Sequence, residues 1–489
     1  MNKFAKFIFL GALLALTIKF WPKREDDQNP EKELHLALPD SADNMDPAAS
    51  DSLYSAKLTA KVYEGLLEYH YLKRPTELIP NLAEAMPTIS SDGLTYTFSI
   101  KKGVYFHDNA CFPNGKGREL IAEDFVYSFK RIADPAVHSP YFSLFADHIK
   151  GIKVFNKHIT AHKDDYKYPI EGIQALDRYT LQFTLTAKFP LFLHYLTGNF
   201  ASVVAKEAVN YYGSAFINHP VGTGPFTLDC FNPRGSKITF VKNKNFREKY
   251  YPTEASPALQ HLLGPAGKRI PFLDKITYYD IYEEQPRWLQ FKEKKIDCIK
   301  VEKSYIKQVF ENGQLKQELK DQGISLLGEV QSSISFIGFN CLKKPLDNKK
   351  LRQAMSLAFD RDTYNKLFSD GLGTTHPSFI SSSLAGYSPS LVNPYGTYDV
   401  AKAKEHLAAA GYPDGKGLPT LTVDTYTSTA NKLGLEFFGK CMAKIGIRVE
   451  IEQSIFPALL KKLSKQDYLM SSLSWGADYP DAAYFFCNL

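Results

Sequence analysis

The sequence is short of the features that mark several large protein classes. Its six cysteines (Cys111, Cys230, Cys298, Cys341, Cys441 and Cys487) stand apart, with no C-x-x-C pair. That excludes a zinc ribbon and a dense disulfide framework; one or two bridges stay open in an oxidising compartment, and the plain reading is buried thiols. Glycine (30) and proline (28) are near average, which excludes collagen-like and low-complexity chains, and 13% aromatic residues exclude disorder. The apolar run at the N-terminus, Phe7 to Ile18, covers 12 residues, short of the ~20 that span a bilayer as a helix. A one-signed charge is missing too. The net charge is +6, but Lys3, Lys6, Lys19, Lys23 and Arg24 all fall in an acid-free stretch at the start. Setting those five aside from 59 basic residues leaves 54 against 53 acidic ones. A nearly neutral body offers no basic field to follow a phosphate backbone, so nucleic acid is not an expected partner.

What is present begins with an export signal. Lys3 and Lys6 precede the apolar run, as in a secretory leader over residues 1–24. The nearest cleavage pattern, Ala15-Leu16-Thr17, is poor and is followed by bulky Phe20 and Trp21. Cleavage and an uncleaved inner-membrane tether both stay open. No cysteine ends the run, so no lipid anchor is indicated. Pro22 to Lys32 is polar, charged and Pro-bounded, and residues 25–33 read as a linker.

From Leu34 the pattern is globular. Residues 33–38, 95–100 and 180–185 alternate as strands do, and Lys102-Gly103 predicts a hairpin from 95–100 into Val104-Tyr105-Phe106. Leu53, Ala56, Ala60 and Gly65-Leu66-Leu67 fit an amphipathic helix over 52–67, with Asp51 near its start. Glu123 to Ile132 reads as a helix stopped by Asp134-Pro135. Gly222-Thr223-Gly224-Pro225 is turn chemistry, followed by strands near 226–228 and 238–241. Strands at 276–282, 334–340 and 447–451 and helices at 351–359 and 400–410 then alternate, which points to α/β lobes. About 490 residues suggest roughly three domains.

Catalytic signals are missing: there is no G-x-S-x-G and no H-E-x-x-H. Gly264-Pro265-Ala266-Gly267-Lys268 lacks the first glycine and the final Ser/Thr of a phosphate loop and reads as a surface loop. His158 and His162 would share a helix face as metal ligands do, but no further ligand completes a set, and Lys163-Asp164-Asp165 suggests a solvated loop. No metal and no cofactor are expected. The stretch Tyr468 to Leu473 reads as a strand opening at Ser474 into a loop, Ser474-Trp475-Gly476-Ala477-Asp478-Tyr479-Pro480-Asp481. Loops at strand ends carry ligand contacts on α/β lobes, Trp475 offers a rigid contact face, and Asp478 a carboxylate for a cation. A core tryptophan and a turn aspartate are the bland alternative.

Seven segments in register resemble one family. They are Val62-Tyr63-Glu64-Gly65-Leu66 with Asn81-Leu82-Ala83-Glu84; residues 91–98 with Lys102 to Phe106; Ala122 to Phe129; Val221 to Phe226; Phe339-Asn340 with Leu351 to Ala354 and Ala358 to Arg361; Ala403 to Leu407 with Ala410 to Pro413; and the Trp475 segment. Together they resemble bacterial extracellular solute-binding proteins of family 5, the periplasmic components of oligopeptide and dipeptide ABC importers. The resemblance implies an α/β, two-lobed periplasmic-binding-protein fold of type II, with an extra domain in the first lobe. It implies a monomer that is not an enzyme, closes on an extended oligopeptide and delivers it to an inner-membrane ABC permease. Asp478 matches the aspartate that receives the ligand's ammonium, and Trp475 the tryptophan beside it. Tyr141 matches a ligand-contacting tyrosine, Asp51 and Leu53 an acidic and an apolar contact, and Ser474 and Gly476 would offer backbone groups.

The implied division is a signal or anchor segment 1–24, linker 25–33, lobe I over 34–77 and 198–272, the extra domain 78–197, and lobe II over 273–489. Two departures stand out. Ser472 occupies the place of a family arginine, with a second falling near Leu463, beside Lys461 and Lys462. Family members also continue past this tryptophan, so lobe II is expected to be truncated at Leu489. A nickel chelate, haem or oligosaccharide ligand, or a degenerate non-transporting product, stays open as an alternative.

Overall fold

The computed structural model describes residues 17–20, 32–40, 42, 44–50, 52–232, 237–302, 305–311, 313–327, 333–369, 371, 373, 375, 380–381, 384, 387–388 and 390–476. These pack as two units, one within 21–299, the other within 300–489 together with 17–20. No described helix is long and apolar enough to cross a membrane.

In the first unit the alternating Glu33–Leu38 strand pairs parallel with Lys275–Asp280, which runs antiparallel to Lys237–Lys242 and so to Phe226–Asn232. Leu38, Phe226, Ile238, Phe240, Ile276 and Tyr278 are among its buried side chains. Lys275–Asp280, expected in the second lobe, thus belongs here, because its ladder partners lie on both sides within this unit. A second, antiparallel sheet is ordered Thr88–Ile89, Thr95–Ser99, Thr180–Thr184, Ile173–Asp177. The Ala122–Ala133 helix covers it, burying Phe125 and Phe129, and Phe129 meets Phe183 edge-on at 5.1 Å. Phe98, Phe145 and Phe192 are also fully buried. Each such ring contributes about 1.5–3 kcal/mol by leaving water.

The hairpin expected over 95–106 does not form. Thr95–Ser99 takes Thr180–Thr184 as its neighbour, and Val104–Phe106 runs instead against Arg118–Leu120, with Phe106 N donating to the Arg118 carbonyl (3.0 Å) and Leu120 N to that of Val104 (2.8 Å). Gly103, at φ +71°, turns the chain away from its own strand. The pairing that buries Phe98 against Phe183 wins over the local one. The first helix is also shorter than expected, Leu53–Val62, and Tyr63 is already extended. The 222–224 loop stops it. Gly224 N donates to the Val62 carbonyl (2.8 Å), and a Cβ on Gly222 would sit 2.1 Å from that oxygen. Only glycine lets one backbone press on the other there.

The second unit is built on a sheet ordered Ser333–Phe339, Met470–Gly476, Leu421–Tyr426, Val449–Ser454. The first pair is antiparallel, the others parallel. Lys349–Ala358, Val400–Ala409 and Thr429–Ala443 supply Leu351, Leu407, Phe438 and Met442 to one core with Leu421, Val423 and Met470. Asp399 caps Val400–Ala409, accepting from Lys402 N, and Gly411 (φ +92°) follows its end. Thr17–Phe20, the end of the expected signal segment, is a strand antiparallel to Ile324–Leu327; the rest of that segment lies outside the described residues. Five cysteines are free thiols, and Cys230 and Cys341 are exposed rather than buried as expected; Cys487 lies outside the described residues.

Candidate functional site

Of the residues expected to touch ligand, Leu53 and Tyr141 belong to the first unit. The turn before Leu53 is tightly tied. Asp46 Oδ1 accepts from Ala48 N, the Asp46 carbonyl accepts from Ser50 N, and Met45 N donates to the Ile217 carbonyl. Ser52 then caps the helix, its Oγ accepting from Tyr54 N and Ser55 N. Beneath the turn, Arg131 of the Ala122–Ala133 helix forks onto Asp46, and its guanidinium lies 5.2 Å from the Phe216 ring. Tyr141 reaches the same turn. Its hydroxyl donates to the Ser50 carbonyl at 2.5 Å, and its ring stacks on Phe200 at 4.4 Å. The structure therefore brings Tyr141 against the residue before Asp51, with half-buried Leu53 three residues on. Asp51 itself lies outside the described residues.

Next to this turn sits a second buried network. Arg247 donates to both oxygens of Glu64 (2.5 and 2.8 Å) and to Asn81 Oδ1, and Thr223 Oγ1 donates to Glu64. His107 is buried with Nε2 on the Gly224 carbonyl at 2.9 Å, and burial drives its pKa down to about 4. The carbonyl can only accept, so Nε2 carries the proton, and Nδ1 is buried with no partner among the described residues. Glu64, Asn81, Thr223 and Gly224, all within the segments that carried the resemblance, hold the loop that ends the Leu53–Val62 helix. They build a buried frame around that loop.

In the second unit, Trp475, Ser474 and Gly476 lie on a strand, not in a loop. Met470–Gly476 continues past Leu473, with Trp475 opposite Ile334, Gly476 opposite Ser333, and Ser474 opposite Ser335, the two hydroxyls 2.8 Å apart. The long antiparallel ladder with Ser333–Phe339 extends the strand beyond the expected break. On its other edge the pairing is short. Leu421–Tyr426 meets only Met470 and Ser471, so among the described strands Ser472 to Gly476 have no ladder partner on that side. Asp478, two residues beyond Gly476, lies outside the described residues.

The cations near this strand are largely spent. Lys462 donates to buried Asp424 (2.5 Å) and to Glu452 (2.7 Å), and these bonds raise its pKa. Lys462 thus carries no free charge for a ligand's carboxylate, and half-buried Ser472 sits opposite Ile337. His158 and His162, expected in a solvated loop, lie at the end of the Ile152–Ala161 helix, rings stacked at 4.4 Å, with His158 Nε2 2.8 Å from Asp165. Among the described residues no group of three or more His, Cys, Asp or Glu side chains is placed to hold a metal. Sequence reasoning missed the pairing of Asp46 with Arg131, 85 residues apart, and noted Lys462 only by its place near a family arginine, without its partners Asp424 and Glu452.

The model of the family described as bacterial extracellular solute-binding proteins, family 5 Middle, matches residues 77–489. The chain belongs to this family. It is 27% identical over 420 residues to the glutathione-binding protein GsiB of Escherichia coli O1:K1, covering 86% of this chain and 69% of that one. It is 27% identical over 455 residues to the dipeptide-binding protein of Escherichia coli K12, covering 90% and 75%. Among solved structures, the periplasmic binding protein DppA of Helicobacter pylori in complex with the peptide STSA matches with a TM-score of 0.62 and 28% identity, over 94% of this chain and 81% of that one. The α/β fold expected for a family-5 solute-binding protein is the fold found.

Proposed function

We propose that this family-5 protein is an exported receptor that captures short peptides and hands them to an inner-membrane ABC permease, with no covalent bond made or broken. One observation carries the reading: the edge of Met470–Gly476 is left without a ladder partner from Ser472 onward, just ahead of Asp478. A strand edge with unpaired amides and carbonyls accepts an extended peptide as an added strand, whatever its side chains. A carboxylate two residues further along the sequence suits the ammonium that begins every unblocked peptide, and Trp475 is the proposed neighbour of that contact. Tyr141 and Leu53, beside the turn before Asp51 in the first unit, are further proposed ligand contacts. The peptide-bound relative and the dipeptide-binding relative support this ligand class. The N-terminal segment would send the protein to the periplasm, tethered or released.

Native mass spectrometry of protein purified from its own host tests the proposal. A bound mixture of short peptides is expected. A chain that arrives empty, and that also takes up no member of a di- to pentapeptide library, would overturn it.

A further inference from the structure

Two segments of the second unit, residues 341–350 and 461–467, hold seven lysines and two aspartates. The fold joins them. Asn340 N donates to the Leu469 carbonyl (2.8 Å), its side-chain amide donates to the carbonyls of Gln466 and Tyr468 (3.1 Å each), and Lys343 Nζ meets Asp467 at 3.1 Å. Buried Pro345 and Leu346 fix the first segment from below. Two of the seven lysines are spent inside the unit, Lys343 on Asp467 and Lys462 on Asp424 and Glu452. The other five, Lys344, Lys349, Lys350, Lys461 and Lys465, are exposed, and their ammonium groups have no hydrogen-bond or salt-bridge partner among the described residues.

Local structure does not ask for this charge. Lys349 and Lys350 open the Lys349–Ala358 helix, whose first turn has no acid, and the positive end of a helix disfavours cations. Leu342, next to Lys343 and Lys344 in the chain, is 78% exposed. An acidic protein segment would answer the charge alone. An anionic bilayer answers both features, its phosphates meeting the lysines and its acyl boundary the leucine. We infer that this patch of lysines around Leu342 docks on an anionic phospholipid surface. The contact is separate from the peptide contacts and holds with or without a bound peptide.

Acetylation of the full chain, followed lysine by lysine in mass spectra, tests the patch with vesicles of phosphatidylcholine alone and of phosphatidylcholine with about one third phosphatidylglycerol. Reading single lysines separates the patch from any hold by the N-terminal segment. At low salt the anionic vesicles are expected to slow acetylation of the unpaired lysines about threefold or more, an effect that about 0.5 M salt removes by screening. Phosphatidylcholine alone should leave them unchanged. The joint exchange Lys344→Gln, Lys349→Gln and Lys350→Gln should weaken binding to the anionic vesicles about tenfold or more and free Lys461 and Lys465 to react. Leu342→Ser keeps every charge, so a smaller loss of about threefold is expected. Equal slowing by both vesicles, none by either, or protection of Lys461 and Lys465 that survives the triple exchange overturns the docking. Protection by soluble polyglutamate but by neither vesicle assigns an acidic protein instead and overturns it too.

Discussion

Arg131 closes a two-pronged ion pair on Asp46, Nη1 donating to Oδ1 at 2.8 Å and Nη2 to Oδ2 at 2.6 Å, with both side chains only 6% exposed. Burying two charges is costly, and the geometry recovers it: the fork satisfies both oxygens while Asp46 also accepts from Ala48 N. The pair joins the Ala122–Ala133 helix to the turn that leads into Leu53. Arg131→Met would strand a buried carboxylate, so an unfolding free energy lower by about 3–5 kcal/mol is expected in urea titrations. A loss below about 1 kcal/mol would show that water reaches Asp46.

His107 gives the fold a pH dependence with a definite sign. Its folded pKa, about 4, lies below the ordinary value of 6.5 because burial disfavours the imidazolium. Between those values the unfolded chain binds a proton that the folded chain does not. The stability it confers is therefore complete above about pH 6.5 and falls as the pH drops toward 4, by up to about 1.4 kcal/mol per unit. In His107→Gln the side-chain amide can still donate to the Gly224 carbonyl but does not titrate. Denaturation midpoints at pH 7 and pH 4.5 should converge in the variant relative to wild type. An identical pH slope in both proteins would assign the acid sensitivity to other groups.

Gly222 and Gly224 look in sequence like ordinary turn glycines, and neither has a positive φ. Their requirement is room. A Cβ on Gly222 would lie 2.1 Å from the Val62 oxygen, a backbone atom that cannot swing aside. Gly222→Ala should cost about 3 kcal/mol, the upper range for overpacking, and should loosen the end of the Leu53–Val62 helix. Amide exchange at Tyr63 and Gly224 would report it; unchanged protection would mean that the loop yields.

These cases mark where the sequence was legible. Glu33–Leu38 and Thr180–Thr184 alternate, and alternation is a local signal for a strand with one buried face. Ala122–Ala133 was legible from its apolar period and the Asp134-Pro135 stop. The partner of Thr95–Ser99 was not, because it lies 85 residues away and a nearby Lys-Gly turn offered a false hairpin. Buried ion pairs are harder still: Glu64 and Arg247 are 183 residues apart, and nothing in either neighbourhood announces the other. At the site, Tyr141 came from resemblance alone and Trp475 first from its expected loop, and the alternation that defines a strand gave no hint that Met470–Gly476 would run on through Trp475. Its half-open edge depends on where Leu421–Tyr426 stops pairing, a property of two strands together.

The most exacting prediction concerns Asp478. The strand edge beyond Ser471 has no ladder partner among the described strands and ends two residues before Asp478 in the sequence, and Lys462, a strong cation of the same unit, is held by Asp424 and Glu452. A ligand's ammonium would then meet Asp478 without displacing Lys462. Asp478→Ala is expected to weaken an unblocked peptide by about 2–5 kcal/mol, as removal of one member of a desolvated charge pair does. The same peptide with an acetylated N-terminus should bind wild type and variant alike, since it brings no positive charge to that end. Calorimetry on the two peptides and two proteins closes a thermodynamic cycle, and its coupling energy isolates the ammonium–carboxylate contact from any general damage to the loop. A coupling near zero, even with weakened binding throughout, would leave Asp478 a structural residue and move the recognition of the peptide's first residue elsewhere.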